Sequence, residues 1–258
     1  MSRYSIFSLL VFVVFCNSAL AQIEEREEGV GRYSNQKYGG LVISTNGWGG
    51  TYIKGKNKGA FKVRLVSCDF NFVKHEKEHK SYFQDPSARP YIFGKQNAMY
   101  SFRLNYGFKK DIAEKQRKSG VQVSYSWSLG PAIALMRPIY LEVLIIDPNL
   151  NGYTLSTEKF DPNEHFVDNI YGRASNFNGL GEMTFVPGFS AKTSMFFEFS
   201  NYRDGLKGFE IGMSAEAYPK RIEIMSDQIL ATLPDGAKNH WLFVSGYVHF
   251  FLGRKYNK

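Results

Sequence analysis

Residues 120–130 read GVQVSYSWSLG, and the alternation in this stretch decides the fold. Val121, Val123, Tyr125, Trp127 and Leu129 fall on one face, and Gln122, Ser124, Ser126, Ser128 and Gly130 on the other. Successive side chains of a strand point to opposite faces, so this is a strand with one apolar and one polar wall. The pattern recurs at Asn97–Phe108, Gly208–Tyr218 and Leu242–Leu252, each with large apolar residues opposite Ser, Arg, Glu or Gly. Arg137–Ile146 and Ala191–Asn201 alternate less strictly.

The first segment reads as a secretion signal. Arg3 precedes an apolar run from Ile6 to Phe15, and Ala19-Leu20-Ala21 supplies a small-x-small cleavage site. Signal peptide 1–21 and a polar lead-in 22–37 are therefore expected before a barrel domain spanning 38–258. No later stretch approaches the roughly 18 apolar residues of a membrane helix. A secreted chain of two-sided strands predicts an all-β fold: a transmembrane antiparallel up-and-down β-barrel in the outer membrane. A soluble lipocalin-like barrel is the alternative, but it would want the bulky apolar faces inside.

Composition narrows the function classes. After the signal, Cys68 is the single cysteine, so no internal disulfide framework is available. The chain has 32 Lys+Arg and 24 Asp+Glu; removing Arg3 with the signal leaves 31 − 24 = +7. These cations are spread over strands and turns, which argues against a nucleic-acid surface. In an outer membrane they would meet lipid and lipopolysaccharide phosphates or acidic partners.

Nine strand candidates emerge when Tyr38–Ser44, Trp48–Gly55 and Ala60–Val73 are added, the last with a bulge near Ser67 where its apolar face switches. A barrel with both ends in the periplasm needs an even number. Eight is preferred, with the short, Gly-rich Tyr38–Ser44 set aside; ten, with a strand at Glu182–Val186, is the alternative. Counting back from the last strand puts 147–188 and 219–239 outside the cell. Lys74–Gln96 and Gly130–Arg137 then become periplasmic connections. Lys62, Arg64, Arg103, Glu142, Glu198, Glu210 and Glu216 should face the lumen, where both signs predict internal ion pairs rather than a pore.

Three polar constellations compete for a role. His75-Glu76-Lys77-Glu78-His79 matches a zinc-helix spacing literally, yet it lies between strands and among lysines, so a solvated or partner-facing loop is favoured and no metal or cofactor is expected. Asp161, His165, Asp168 and Ser175 could form an acid–base or Ser-His arrangement, but nothing in their spacing is diagnostic, and no catalytic site is expected. The preferred site is partner binding through Lys74, Lys77, Lys80, Tyr82, Phe83, Arg89, Tyr91 and Phe93, which combine cations with aromatic anchors. Asp85-Pro86 and Arg89-Pro90 would stiffen that loop.

Gly94-Lys95-Gln96-Asn97, Tyr100-Ser101-Phe102-Arg103-Leu104-Asn105-Tyr106-Gly107, Gly130-Pro131-Ala132 and Arg137-Pro138-Ile139-Tyr140-Leu141-Glu142-Val143 resemble a family of uncharacterised outer-membrane barrels from Bacteroidota. The likeness extends to Gly179-Leu180-Gly181-Glu182, Ala217-Tyr218-Pro219-Lys220 and Phe250-Phe251-Leu252-Gly253-Arg254-Lys255. It implies no catalytic residues. It implies an accessory subunit of an envelope machine, such as barrel assembly or type IX secretion. A passive transport barrel and an outer-membrane enzyme acting on lipid or peptide are the other two function classes.

Overall fold

The computed structural model describes residues 33–58, 62–113, 120–147, 152–200, 204–233 and 237–257. The signal segment and most of the lead-in lie outside them. Eight strands close a barrel: β1 (Asn35–Ser44), β2 (Gly47–Asn57), β3 (Lys62–Val73), β6 (Asn97–Ala113), β7 (Gln122–Pro138), β11 (Thr184–Glu198), β12 (Gly205–Ala217) and β13 (Leu242–Tyr256). Every neighbouring pair is antiparallel, and β1 seals against β13 from Asn35↔Tyr256 to Ser44↔Tyr247. Followed once round, the pairings run Tyr256, Asn35, Lys56, Arg64, Phe108, Trp127, Thr193, Met213, Gly246. The path returns to β13 ten residues along (256 − 246 = 10), the stagger that tilts strands in a closed barrel.

The expected number of strands is correct, but two members differ. Tyr38–Ser44 is the core of β1 and not a lead-in piece, and the barrel begins at Asn35. Its glycines hid it. A Cβ on Gly40 would run into the Phe250 carbonyl and one on Gly49 of β2 into that of Phe70, so close backbone approach, rather than weak pairing, explains the Gly content. Conversely, Arg137–Ile146 is not a barrel strand. The wall strand β7 runs 17 residues through Gly130-Pro131, where a turn was expected, to Pro138. Pro131 has no N–H to donate, and the β6–β7 pairing skips from Arg103↔Ala132 to Tyr106↔Leu129 there, while Pro131↔Phe189 keeps β7 paired with β11. Glu182–Val186 is no separate tenth strand, since β11 already starts at Thr184.

Exchanging one strand at each place reverses the ends of the connections between them. Lys74–Gln96 therefore sits at the same end as 139–183 and 218–241, opposite both barrel termini; its expected place on the other side is corrected. These three segments form a folded cap. It holds a three-stranded sheet of β10 (Ile170–Arg173), β8 (Tyr140–Asp147) and β9 (Gly152–Lys159), a small pair of β4 (Lys80–Ser81) and β5 (Tyr91–Ile92), and a short helix α1 (Asp227–Thr232). Tyr91, Ala98, Ile139, Leu141, Val143, Phe160 and Ile170 bury one cap core. Phe72, Phe93, Tyr100 and Ile229 pack against it, tying cap to barrel rim.

Nor does β3 carry a bulge. Its register is continuous from Val63 to Val73, and Val63, Leu65, Ser67, Asp69, Asn71 and Val73 all face inward. The apparent switch of faces is a change of lumen chemistry along the strand. At the terminus end Tyr38, Ile53, Val63, Leu65, Phe196, Leu206 and Phe251 make an apolar lumen layer. Lys62 and Arg64 consequently point outward, and Glu142 belongs to the cap.

Candidate functional site

Two places carry chemistry: the middle of the lumen and the cap. In the lumen, the inward alternation of five strands brings opposite charges together. Asp69 has no solvent exposure; it accepts from Thr51 Oγ1, from Asn105 Nδ2 at 3.0 Å and from Lys192 Nζ at 3.2 Å on both oxygens. Arg103 lies 3.7 Å from Asp69 and donates to Glu216 at 3.0 Å, and Glu216 also accepts from Ser101 and from Tyr218 at 2.6 Å. Beside them Glu210 accepts from Ser194 and Tyr247 and lies 3.0 Å from His249 Nδ1. A void beside Arg103, Lys192, Glu216 and Tyr247 leaves room for about one water. This interior is filled.

Of the expected lumen residues, Arg103, Glu198, Glu210 and Glu216 are inside and buried. Asp69, Lys109, Lys192 and His249 were missed as members of the charged set. The false bulge turned Lys62 and Arg64 to the wrong wall, whereas Asp69 was legible as inward from its alternation with Cys68 and Phe70; β6 continues past Phe108, which carries Lys109 into the lumen beneath the Phe196 ring at 4.3 Å. Lys192 was legible from its alternation with Ala191 and Thr193.

In the cap, the eight proposed partner-binding residues separate. Lys74, Lys80, Tyr82 and Arg89 are exposed, and Lys77 and Phe83 half-buried, with Phe83 packed against Tyr171 at 5.2 Å. Tyr91 is 2% exposed and Phe93 packs on Phe160, so both are core and not anchors for a partner. The proline-stiffened stretch is clamped: Tyr171 donates to Asp85 at 2.8 Å, and Arg173 N–H bonds the Arg89 carbonyl at 3.3 Å. Hydrogen bonds from the Ser87 backbone, the Ser87 hydroxyl and Tyr171 hold the Asp85 carboxyl below its ordinary range.

His75 and His79 do not converge. The segment is a turn, with Glu78 N–H bonding the His75 carbonyl at 3.1 Å; His79 is exposed while His75 is buried and stacks on His240 at 5.6 Å. The buried Lys95 joins the turn through Glu78 at 2.7 Å. Glu158, Glu164 and His165 do bring ligand atoms within 4.8 Å of one another. However, His165 Nδ1 accepts from Asp161 N–H at 2.9 Å, which leaves Nε2–H to donate to Glu158 at 3.1 Å. Neither nitrogen is free for a metal, and neither meets Ser175, whose hydroxyl accepts from Phe177 N–H.

No protein-family model matches the chain, and no curated protein matches it in sequence. Solved structures do align. Ail, the attachment invasion locus protein of Yersinia pestis, crystallised with the heparin analogue sucrose octasulfate, aligns at 8% identity over 87% of this chain and 99% of its own, with a TM-score of 0.39. Neisserial surface protein A aligns at 10% identity over 89% and 100%, with a TM-score of 0.41.

The His75 contacts give a pH expectation. Lys77 N–H donates to Nδ1 at 3.2 Å, so Nε2–H faces the Lys238 carbonyl at 3.4 Å. Burial, ahead of the nearby His240, pushes its pKa below the usual histidine value, against weaker raising effects of the Lys238 carbonyl and of Glu76 and Glu78. The unfolded cap then takes up a proton first, so cap stability is full above about pH 6.5 and falls as pH drops towards the lowered value. Amide protection at 74–78 and 237–241, taken relative to the unfolded chain's exchange at each pH, should fall between pH 7 and 5. His75→Phe should flatten that response; an unchanged pH profile in the variant would refute the assignment.

Proposed function

We propose that this protein spans an outer membrane as a plugged, non-conducting barrel and acts as a docking subunit of an envelope complex, using its cap to bind another envelope protein. The observation that carries the reading is inverted polarity. Leu41, Val66, Leu104, Leu129, Ile211, Val244 and Leu252 stand on the outer wall, while Asp69, Arg103, Lys192 and Glu210 fill the inside. In water that wall would leave a large contiguous apolar surface exposed. In hydrocarbon it is matched, and each wall strand is hydrogen-bonded to a neighbour on both sides in the closed sheet, which leaves no open edge. With both barrel ends in the periplasm, the cap stands outside the cell.

Several features support docking over transport or catalysis. Ion pairs and aromatic layers occupy the lumen, which leaves no path for a solute. In the cap, both ring nitrogens of His165 are engaged, by Asp161 N–H and by Glu158, and Ser175 is turned to Phe177 N–H instead. The cap has its own core, more than strand connection requires, and presents Tyr82, Ile146, Tyr153 and Phe177 with at least 71% exposure, while Lys74, Lys80 and Arg89 are exposed on it as well. Exposed aromatic and aliphatic side chains on a folded surface are what protein interfaces use as anchors.

The protein should fractionate with the outer membrane and migrate faster on unboiled gels; recovery as a soluble periplasmic protein would reject the reading. A Ser81→Cys variant should be labelled on whole cells by a membrane-impermeant reagent, and no labelling would reverse the topology. Tyr82→Ala with Tyr153→Ala should leave the barrel folded and lower recovery of the co-purifying envelope protein by about tenfold, the loss expected from one interface hot spot. Unchanged recovery would remove the cap from the interface.

A further inference from the structure

The outer wall of the barrel carries an arrangement that the described residues do not explain. At the terminus end, cations oppose cations directly across the sheet. Arg254 of β13 faces Lys37 of β1, which faces Lys54 of β2. Lys56 of β2 faces Arg64 of β3, and Lys62 of β3 faces Lys110 of β6. All seven alternate with inward residues and so lie on the outer wall, Arg64 half-buried and the rest exposed. Like charges directly opposite on one face destabilise a sheet. Among the described residues none of the seven has an ion-pair partner, and Arg64 Nε lies out of solvent without a hydrogen bond.

The barrel's stagger turns these pairs into a belt. Ten residues over eight strands raise each pairing row towards the cap by a little over one residue per strand. The opposed sets step back two residues at a time, from Lys54 to Lys56 on β2 and from Arg64 to Lys62 on β3. The two shifts nearly cancel, so the seven charges lie within about three residues of strand, roughly 10 Å, of one height. Lys207 on β12 falls at the same height and extends the belt to six adjacent strands. Aromatic rings mark the level: Lys62 sits 4.4 Å over Phe108, Lys37 5.6 Å over Tyr256 and Lys207 6.0 Å over Phe199. Cationic side chains reaching past aromatic rings at the edge of an apolar wall are the signature of a headgroup layer.

We infer that this belt binds anionic phospholipid headgroups of the leaflet at the terminus end, their phosphates lying between the opposed cations. The requirement for a diffuse, ring-shaped set of negative charges immediately beside hydrocarbon fits a lipid layer, whereas a protein partner would have to match it over six strands. The inference rests on the membrane-spanning reading. A chain that stays soluble and monodisperse without detergent fails that reading, whereas a detergent-dependent barrel without lipid preference fails this inference alone.

The test uses the mature chain in dodecyl maltoside, equilibrated with equal phosphatidylglycerol and phosphatidylcholine, with retained lipid counted by native mass spectrometry. Each cation near an anionic surface is worth on the order of fivefold, so the wild type should retain phosphatidylglycerol preferentially and lose that preference in high salt. Lys37→Gln/Lys54→Gln/Arg254→Gln should lower the preference by at least roughly that fivefold factor. As a second readout, the conservative Lys37→Gln should raise the melting temperature in neutral detergent, where it relieves repulsion, and not in phosphatidylglycerol vesicles. Equal retention of the two lipids would overturn the inference. So would stabilisation by inorganic phosphate as strong as by the lipid, which would mean a free-anion site. A phosphatidylglycerol preference that appears only when Glu24, Glu25, Glu27 and Glu28 are changed to Gln would also overturn it, by assigning the belt to the chain's own acidic lead-in.

Discussion

Asp69→Leu should destabilise the folded barrel by about 3–5 kcal/mol, because it leaves the buried Lys192 and Arg103 without their shared counter-charge. Asp69 has four partners in the lumen, and both cations are buried: Lys192 is 8% and Arg103 3% exposed. The midpoint of urea unfolding, read from the heat-modifiable band, would report the loss. The companion Asp69→Leu/Lys192→Met should recover much of it, since replacing both members of a buried pair with apolar groups is often nearly neutral. A loss under about 1 kcal/mol in the single variant would show that the pair is water-screened. Loss of the plug could also open a conduction path, so planar-bilayer recordings should be silent for the wild type and are informative for the variant. Stable ion-selective steps from the wild type would contradict a filled lumen.

Leu141→Ala should melt the cap and spare the barrel. Leu141 is 1% exposed in the cluster with Val143, Phe160 and Ile170, where removing a buried leucine side chain costs about 2–5 kcal/mol. A small core of this kind holds little more stability than that. Trypsin should then cut at Lys159 or Arg173 in the variant at concentrations that leave the wild type intact. The folded barrel band should persist, and co-purification of the partner should fall with the cap. Simultaneous loss of the barrel band would mean that cap and barrel fold as one unit. An intact cap would mean that the rim contacts of Phe72 and Tyr100 carry it.

The sequence by itself determined the all-β class and the two-sided strands, because side-chain alternation is a local property that survives in any environment; the number eight came from parity, with one omitted strand offset by one counted from the cap. From Gln122 on, GVQVSYSWSLG lies on β7 with Tyr125, Trp127 and Leu129 outward and Ser124, Ser126 and Gly130 inward, as its period requires. The Asn46-Gly47 turn joins β1 to β2 for the same reason. Only the tertiary structure decided which strands share the barrel. β1 hides its membership in glycines that serve close backbone approach, and Tyr140–Asp147 has a strand's composition but pairs within the cap. Parity then carried the error to Lys74–Gln96, since one strand more or fewer moves a connection to the other end. The lumen network, the burial of Tyr91 and Phe93 and the alignment of Arg254, Lys37 and Lys54 join residues from distant parts of the chain. Cross-strand register and barrel stagger set those contacts, and neither can be read from one strand at a time.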